Sequence, residues 1–92
     1  MTTWHYVDIL TAKGCVRLGF DDGKARAEVF HDGQTHAITA DSPLDVMLRI
    51  VEIAEQLPED ERNDMLIRIG EQLMQWIKEY SPKGKPQTSK EA

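Results

Sequence analysis

The first forty residues alternate apolar and polar positions between evenly spaced turn signals. Short runs rich in β-branched, aromatic and small apolar residues are separated by Lys13-Gly14, Asp22-Gly23 and Asp32-Gly33. Asp-Gly between alternating segments favours a tight β-hairpin, because both central turn residues need positive φ. The pattern predicts a four-stranded antiparallel β-meander with strands at about 3–11, 15–20, 25–31 and 35–40.

Both Asp-Gly turns select the same inner face of this sheet. With 21 opposite 24 and 31 opposite 34, Val29 faces Val16 on one side and His36 on the other. On the opposite face, the same register pairs Arg17 with Glu28, a favourable cross-strand charge match. A slip of one residue at either turn would break the agreement. The predicted inner face holds Val16, Leu18, Phe20, Ala25, Ala27, Val29, Ile38 and Ala40.

The first strand allows two registers. With a two-residue Lys13-Gly14 loop, the inward residues are His5, Val7 and Ile9. The outward residues are then Trp4, Tyr6, Asp8 and Leu10. A three-residue loop that includes Ala12 exchanges the two sets and drives Asp8 against Leu18. Because burying an unpaired carboxylate is costly, we prefer the first register.

The second half of the chain predicts a helical hairpin packed on one face of the sheet. Ser42 is a typical N-cap, Pro43 suits the first helical position, and the first helix extends over about 43–57. Pro58 ends it, and the acidic run 59–61 suits the start of a second helix over about 59–80. Gly70 lies inside the second helix, and a glycine at such a position often marks a close helix–helix approach.

These helices carry more apolar surface than one sheet face can cover. The first helix is apolar nearly all round. The second has a coiled-coil-like seam and further apolar residues outside it. The surplus predicts a protein interface, in a homodimer or with another protein, formed by Met65, Ile67, Met74, Ile77 and Trp76.

Composition and charge narrow the class of protein. The 92 residues predict a single α+β domain over 1–80 and a disordered polar tail over 81–92. Segment 41–82 carries ten acidic and four basic residues, which disfavours nucleic acid as a partner. A single cysteine, no signal-peptide pattern and no apolar run near ~20 residues together predict a cytoplasmic protein without a membrane association.

The sequence offers little catalytic chemistry. No glycine-rich phosphate loop is present, and Cys15 is a lone thiol in a strand. His31 and His36 fall near one hairpin end, but two imidazoles without a third ligand make no zinc site. We therefore expect no enzyme activity, no cofactor and no metal.

An alternative function follows from the outer face of the sheet. Aromatic residues interleaved with arginines on an open sheet can stack single-stranded bases. Glu28 and the sequence pI of about 5.1 weigh against this alternative. The candidate residues are Trp4, Tyr6, Phe30, Arg17 and Arg26.

The preferred prediction is a non-enzymatic protein–protein interaction module, an adaptor or inhibitor that is dimeric through the helical hairpin. Small acidic antagonists of host proteins that phages and plasmids encode share this general profile.

Overall fold

The computed structural model describes residues 1–80, and the predicted tail lies outside the described residues. The strands are β1 (Thr2–Thr11), β2 (Gly14–Asp21), β3 (Lys24–His31) and β4 (Gln34–Ala40), and the helices are α1 (Pro43–Glu55) and α2 (Glu59–Tyr80). The strands form one antiparallel sheet in the order β1-β2-β3-β4. The predicted meander and helical hairpin are confirmed.

The two Asp-Gly turns set the register of β2, β3 and β4. Asp22 and Gly23 have φ of 52° and 79°, and Asp32 and Gly33 have φ of 51° and 82°. Positive φ at both central residues is the signature of a type I′ turn. Val29 pairs with its predicted partners on both neighbouring strands.

The predicted register of β1 is wrong. The turn is formed by residues 12 and 13, so Thr11 pairs with Gly14, and two register irregularities follow along the strand. They place Tyr6 opposite Leu18, on the helix side of the sheet. Asp8 adopts a φ of 55° and stays exposed. An irregular strand thus avoids the buried carboxylate that counted against the other register.

Two glycines explain part of this shift. A Cβ at Gly14 would lie 1.8 Å from the carbonyl oxygen of Phe30, and one at Gly19 would lie 2.1 Å from that of Thr3. Gly14 is therefore a strand residue at a close backbone approach, and not part of the turn as the sequence suggested.

The helices cover one face of the sheet. Ser42 Oγ accepts a 3.2 Å hydrogen bond from the Asp45 amide and caps α1, as predicted. Helix α1 packs over β3 and β4, whereas α2 packs mainly over β1 and contacts α1. Neither helix is long and apolar enough to cross a membrane. The core contains Ile9, Val16, Leu18, Ala25, Ala27, Val29, Ile38, Val46, Ile50, Ala54, Met65, Ile69, Leu73 and Trp76.

Candidate protein-binding surface

Four large non-aromatic apolar side chains are exposed on the helices. Their exposed fractions are 50% for Leu44, 51% for Leu48, 77% for Ile67 and 56% for Met74. The first two lie one turn apart on α1, and the last two lie two turns apart on α2. The helical period of 3.6 residues places each pair away from the buried side of its helix. We call these four residues the helical face.

The hairpin brings the two exposed pairs near one another. With the helices antiparallel and joined at 56–58, Leu48 lies about level with Ile67, and Leu44 lies about one turn from the level of Met74. A Cβ added to Gly70 would meet nothing within 4 Å. The expectation that Gly70 marks a close helix–helix approach is therefore wrong.

Two of the five predicted interface residues belong to the core. Met65 and Trp76 are fully buried. The Trp76 ring lies 5.7 Å from the Phe20 ring, because this part of α2 faces the sheet. Ile77 is half-buried against the core. Of the predicted set, Ile67 and Met74 are exposed.

Sequence reasoning missed the contribution of α1 to the helical face. Leu44 and Leu48 are four residues apart, on the side of α1 opposite Ile50. That spacing was a usable signal, because it separates them from the buried positions Val46, Ile50 and Ala54.

The surroundings of the helical face are acidic. Helices α1 and α2 carry nine acidic and four basic side chains. Arg49 lies 3.5 Å from Glu52 on α1, and Arg68 lies 2.7 Å from Asp64 on α2. The exposed acidic side chains of the two helices are Asp45, Glu52, Glu55, Glu59, Asp60, Glu71 and Glu79.

Glu61 fastens the start of α2 to the sheet. Its carboxylate oxygens lie 3.0 Å from Lys13 Nζ and 2.9 Å from His31 Nε2. The hydrogen bond with His31, followed by that from Lys13, lowers the pKa of Glu61. Asp64 accepts a 2.8 Å hydrogen bond from the Ala12 amide. These carboxylates hold the helix on the β1–β2 turn, so their positions are explained without acid–base chemistry.

Glu79 fastens the other end of α2. The Tyr6 hydroxyl donates a 2.7 Å hydrogen bond to Glu79 Oε1, which lowers the pKa of Glu79. The same hydrogen bond is the main reason that the pKa of Tyr6 rises to about 12. Tyr6 is thus part of the helix–sheet contact, and the prediction that it joins Trp4 on the outer sheet face is wrong.

On the outer sheet face, the arginine side chains already contact neighbouring residues of the same face. The Arg17 guanidinium lies 4.6 Å from the Trp4 ring centre and 5.4 Å from that of Phe30. Arg17 also hydrogen-bonds Glu28, and Arg26 Nη2 lies 3.2 Å from the same carboxylate. The hydrogen bond from Arg17 is the largest cause that lowers the pKa of Glu28. One carboxylate therefore occupies both arginines, and Arg17 covers the aromatic rings.

A groove of about 860 Å³ lies between β4 and α1. His31 and His36 both line it, as their predicted register implied. Within residues 1–80, no cluster of His, Cys, Asp or Glu side chains is arranged to hold a metal ion. Cys15 lies next to Val16 on β2 and pairs with Phe30, which places it on the outer face and away from His36.

Comparison of the chain with protein-family models, curated protein sequences and solved structures gave no significant match.

Proposed function

We propose that this protein is a non-enzymatic protein–protein interaction module, an adaptor or inhibitor, that binds its partner through the helical face. The observation that carries the proposal is the exposure of four large apolar side chains within two turns of each other on each of two neighbouring helices. A contiguous exposed apolar patch is typical of an interaction surface. Met74 adds an unbranched, adaptable side chain to it.

The charge around the helical face selects the kind of partner. Seven exposed acidic side chains against three exposed basic ones on α1 and α2 favour a partner that presents apolar residues beside lysines or arginines. A basic amphipathic helix has this chemistry. A second copy on the same face would bring two acidic helix pairs together, so we assign the face to a different protein rather than to the homodimer predicted from the sequence.

The nucleic-acid alternative has less support. Arg17 and Arg26 share Glu28, and Tyr6 contacts Glu79 on the helix side. Trp4 and Phe30 are the aromatic residues left for stacking, and Arg17 lies over both. Protein binding is therefore the function that these contacts favour.

The test compares three forms of the protein as bait in extracts of the native host. These are the wild type, a Leu48→Glu/Met74→Glu variant and a Leu10→Glu control, which introduces glutamate at an exposed leucine of β1. A protein retained by the wild type and the control is purified and added back. Hydrogen exchange then maps the amides that it protects.

Protection on α1 and α2, together with loss of binding in the double variant alone, supports the proposal. Binding that survives Leu48→Glu/Met74→Glu, or protection confined to the sheet, overturns it. Circular dichroism confirms that each variant remains folded.

A further inference from the structure

Strand β4 is an open and unprotected edge of the sheet. It spans Gln34–Ala40, contains no Lys, Arg, Asp, Glu or Pro, and pairs with β3 without a register irregularity. No other strand of residues 1–80 pairs with its outer side. Edge strands commonly carry charges, prolines or bulges that prevent pairing with another chain. The lack of these features leaves β4 able to pair with another strand.

The opposite edge has such protection. Strand β1 contains two register irregularities, and its Asp8 adopts positive φ. An irregular edge makes a poor template for a further strand. The two edges of the sheet therefore differ, and only β4 is suited to pairing.

The hairpin geometry identifies the backbone groups that β4 leaves free. His31 and Gln34 flank a two-residue type I′ turn and form a hydrogen-bonded pair. Alternate residues along β4 therefore bond to β3. The outward N–H and C=O groups belong to the residues between them, Thr35, Ala37 and Thr39.

We propose that β4 pairs antiparallel with β4 of a second copy, about a two-fold axis at Ala37, and that the sheet continues across the dimer. Ala37 then pairs with Ala37 of the second copy, and Thr35 pairs with Thr39 of that copy. Each pair uses outward backbone groups, so the interface is isologous. The threonine pairs and the absence of charge at the centre are favourable across strands.

The position of α1 supports a second copy over an unrelated peptide. Because α1 packs over both β3 and β4, its axis lies about half a strand spacing inside the edge. Strands ~4.8 Å apart then place the two α1 helices ~10 Å apart, a normal helix-packing distance. The second copy thus brings its α1 against the groove beside β4.

The charges that line this groove are self-complementary. Arg49, Glu52 and Ile53 line it on α1, and Ala37 lines it on β4. About a two-fold axis that passes between Arg49 and Glu52, Arg49 of each copy approaches Glu52 of the other. In this arrangement opposite charges of the two copies attract each other, whereas pairing through the helical face would bring acidic surfaces together.

The test measures dimer dissociation of the full chain by sedimentation equilibrium across micromolar concentrations. Ala37→Lys places two lysines together at the axis, and Ala37→Pro removes an outward N–H that β3 does not use. Leu10→Lys, on the exposed part of β1, is the matched control. Arg49→Glu tests the helix contact, and Arg49→Glu/Glu52→Arg restores its complementarity.

We expect a wild-type dimer whose dissociation constant rises about tenfold or more in Ala37→Lys and Ala37→Pro. Leu10→Lys should leave it unchanged, and the double charge swap should recover most of the loss caused by Arg49→Glu. A monomeric wild type overturns the proposal. So does a dimer that folded Ala37→Lys leaves intact, or one that Leu48→Glu dissociates instead. If Ala37→Pro fails to fold by circular dichroism, Ala37→Lys decides.

Discussion

The Tyr6 hydroxyl donates a 2.7 Å hydrogen bond to Glu79 Oε1 and joins the first strand to the last turn of α2. The opposite end of the helix is held by Glu61, which contacts Lys13 and His31. Helix α2 is therefore fastened to the sheet at both ends by carboxylates. These contacts place against the sheet the same side of α2 that buries Met65, Ile69, Leu73 and Trp76.

The Tyr6–Glu79 contact predicts an unusual tyrosine titration. The pKa of Tyr6 is raised to about 12, first by its hydrogen bond to Glu79 and then by burial and nearby charge. Glu79→Gln should shift this titration back toward the ordinary tyrosine value, because the carboxylate that opposes phenolate formation is gone. Ultraviolet absorbance against pH measures the change, and Tyr6→Phe identifies the signal. An unchanged midpoint in Glu79→Gln would contradict the contact.

The carboxylates of α2 predict destabilisation in acid. The pKa of Glu61 is lowered by His31 and Lys13, and Glu79 and Asp64 have lowered pKa values as well. A carboxyl whose pKa is lower in the folded state stabilises the fold above its unfolded pKa. Its contribution is lost as the pH falls through the folded pKa.

For Glu61, the loss should begin near its ordinary value of 4.5 and continue below it. Urea unfolding measures the free energy of unfolding at each pH. The difference between the wild type and Glu61→Gln should shrink as the pH falls through this window. A difference that stays constant would show that the ionised carboxylate is not the stabilising group.

Two glycines should respond to alanine in opposite ways. Gly70→Ala should stabilise the protein by up to about 1 kcal/mol, because alanine is the better helix former and its Cβ meets nothing. Gly19→Ala should destabilise it by at least about 2 kcal/mol, because the Cβ would lie 2.1 Å from the Thr3 carbonyl oxygen. Urea denaturation compares both with the wild type. Equal changes in the free energy of unfolding would contradict the difference in space around the two glycines.

The sequence sufficed for β2, β3 and β4 because their turns carry local signals. Asp22-Gly23 and Asp32-Gly33 need no tertiary information to favour type I′ geometry. Strand β1 is different, since its register depends on Gly14 and Gly19 fitting against backbone carbonyls of other strands. Asp8 leaves the core through positive φ, which alternation of apolar and polar residues does not reveal.

The sequence predicted part of the candidate interface correctly. The surplus of apolar helix residues was visible, and Ile67 and Met74 are exposed as expected. Met65 and Trp76 were misassigned because the side of α2 that meets the sheet depends on packing between residues distant in sequence, such as Trp76 with Phe20. Helical periodicity fixes which residues share a face, but not which face meets the sheet.

The outer sheet face should give no response to single-stranded nucleic acid. Arg17 and Arg26 already contact Glu28, and Arg17 covers the Trp4 ring. Trp76 is buried, so Trp4 is the indole that oligonucleotides can reach among residues 1–80. Tryptophan fluorescence at low salt should stay constant as oligonucleotides are added. Saturable quenching that Trp4→Phe abolishes would restore the nucleic-acid alternative.

The central claim is that the helical face binds apolar and basic surfaces, and a nuclear magnetic resonance titration tests it most directly. Two synthetic amphipathic helices serve as probes, one with leucine and lysine and the other with leucine and glutamate. Addition of the lysine probe should shift the amides around Leu44, Leu48, Ile67 and Met74. The glutamate probe should bind at least about tenfold more weakly than the lysine probe. The amides of the Leu48→Glu/Met74→Glu variant should shift with neither probe. An equal response to both probes, shifts confined to the sheet, or no response to the lysine probe would contradict the account.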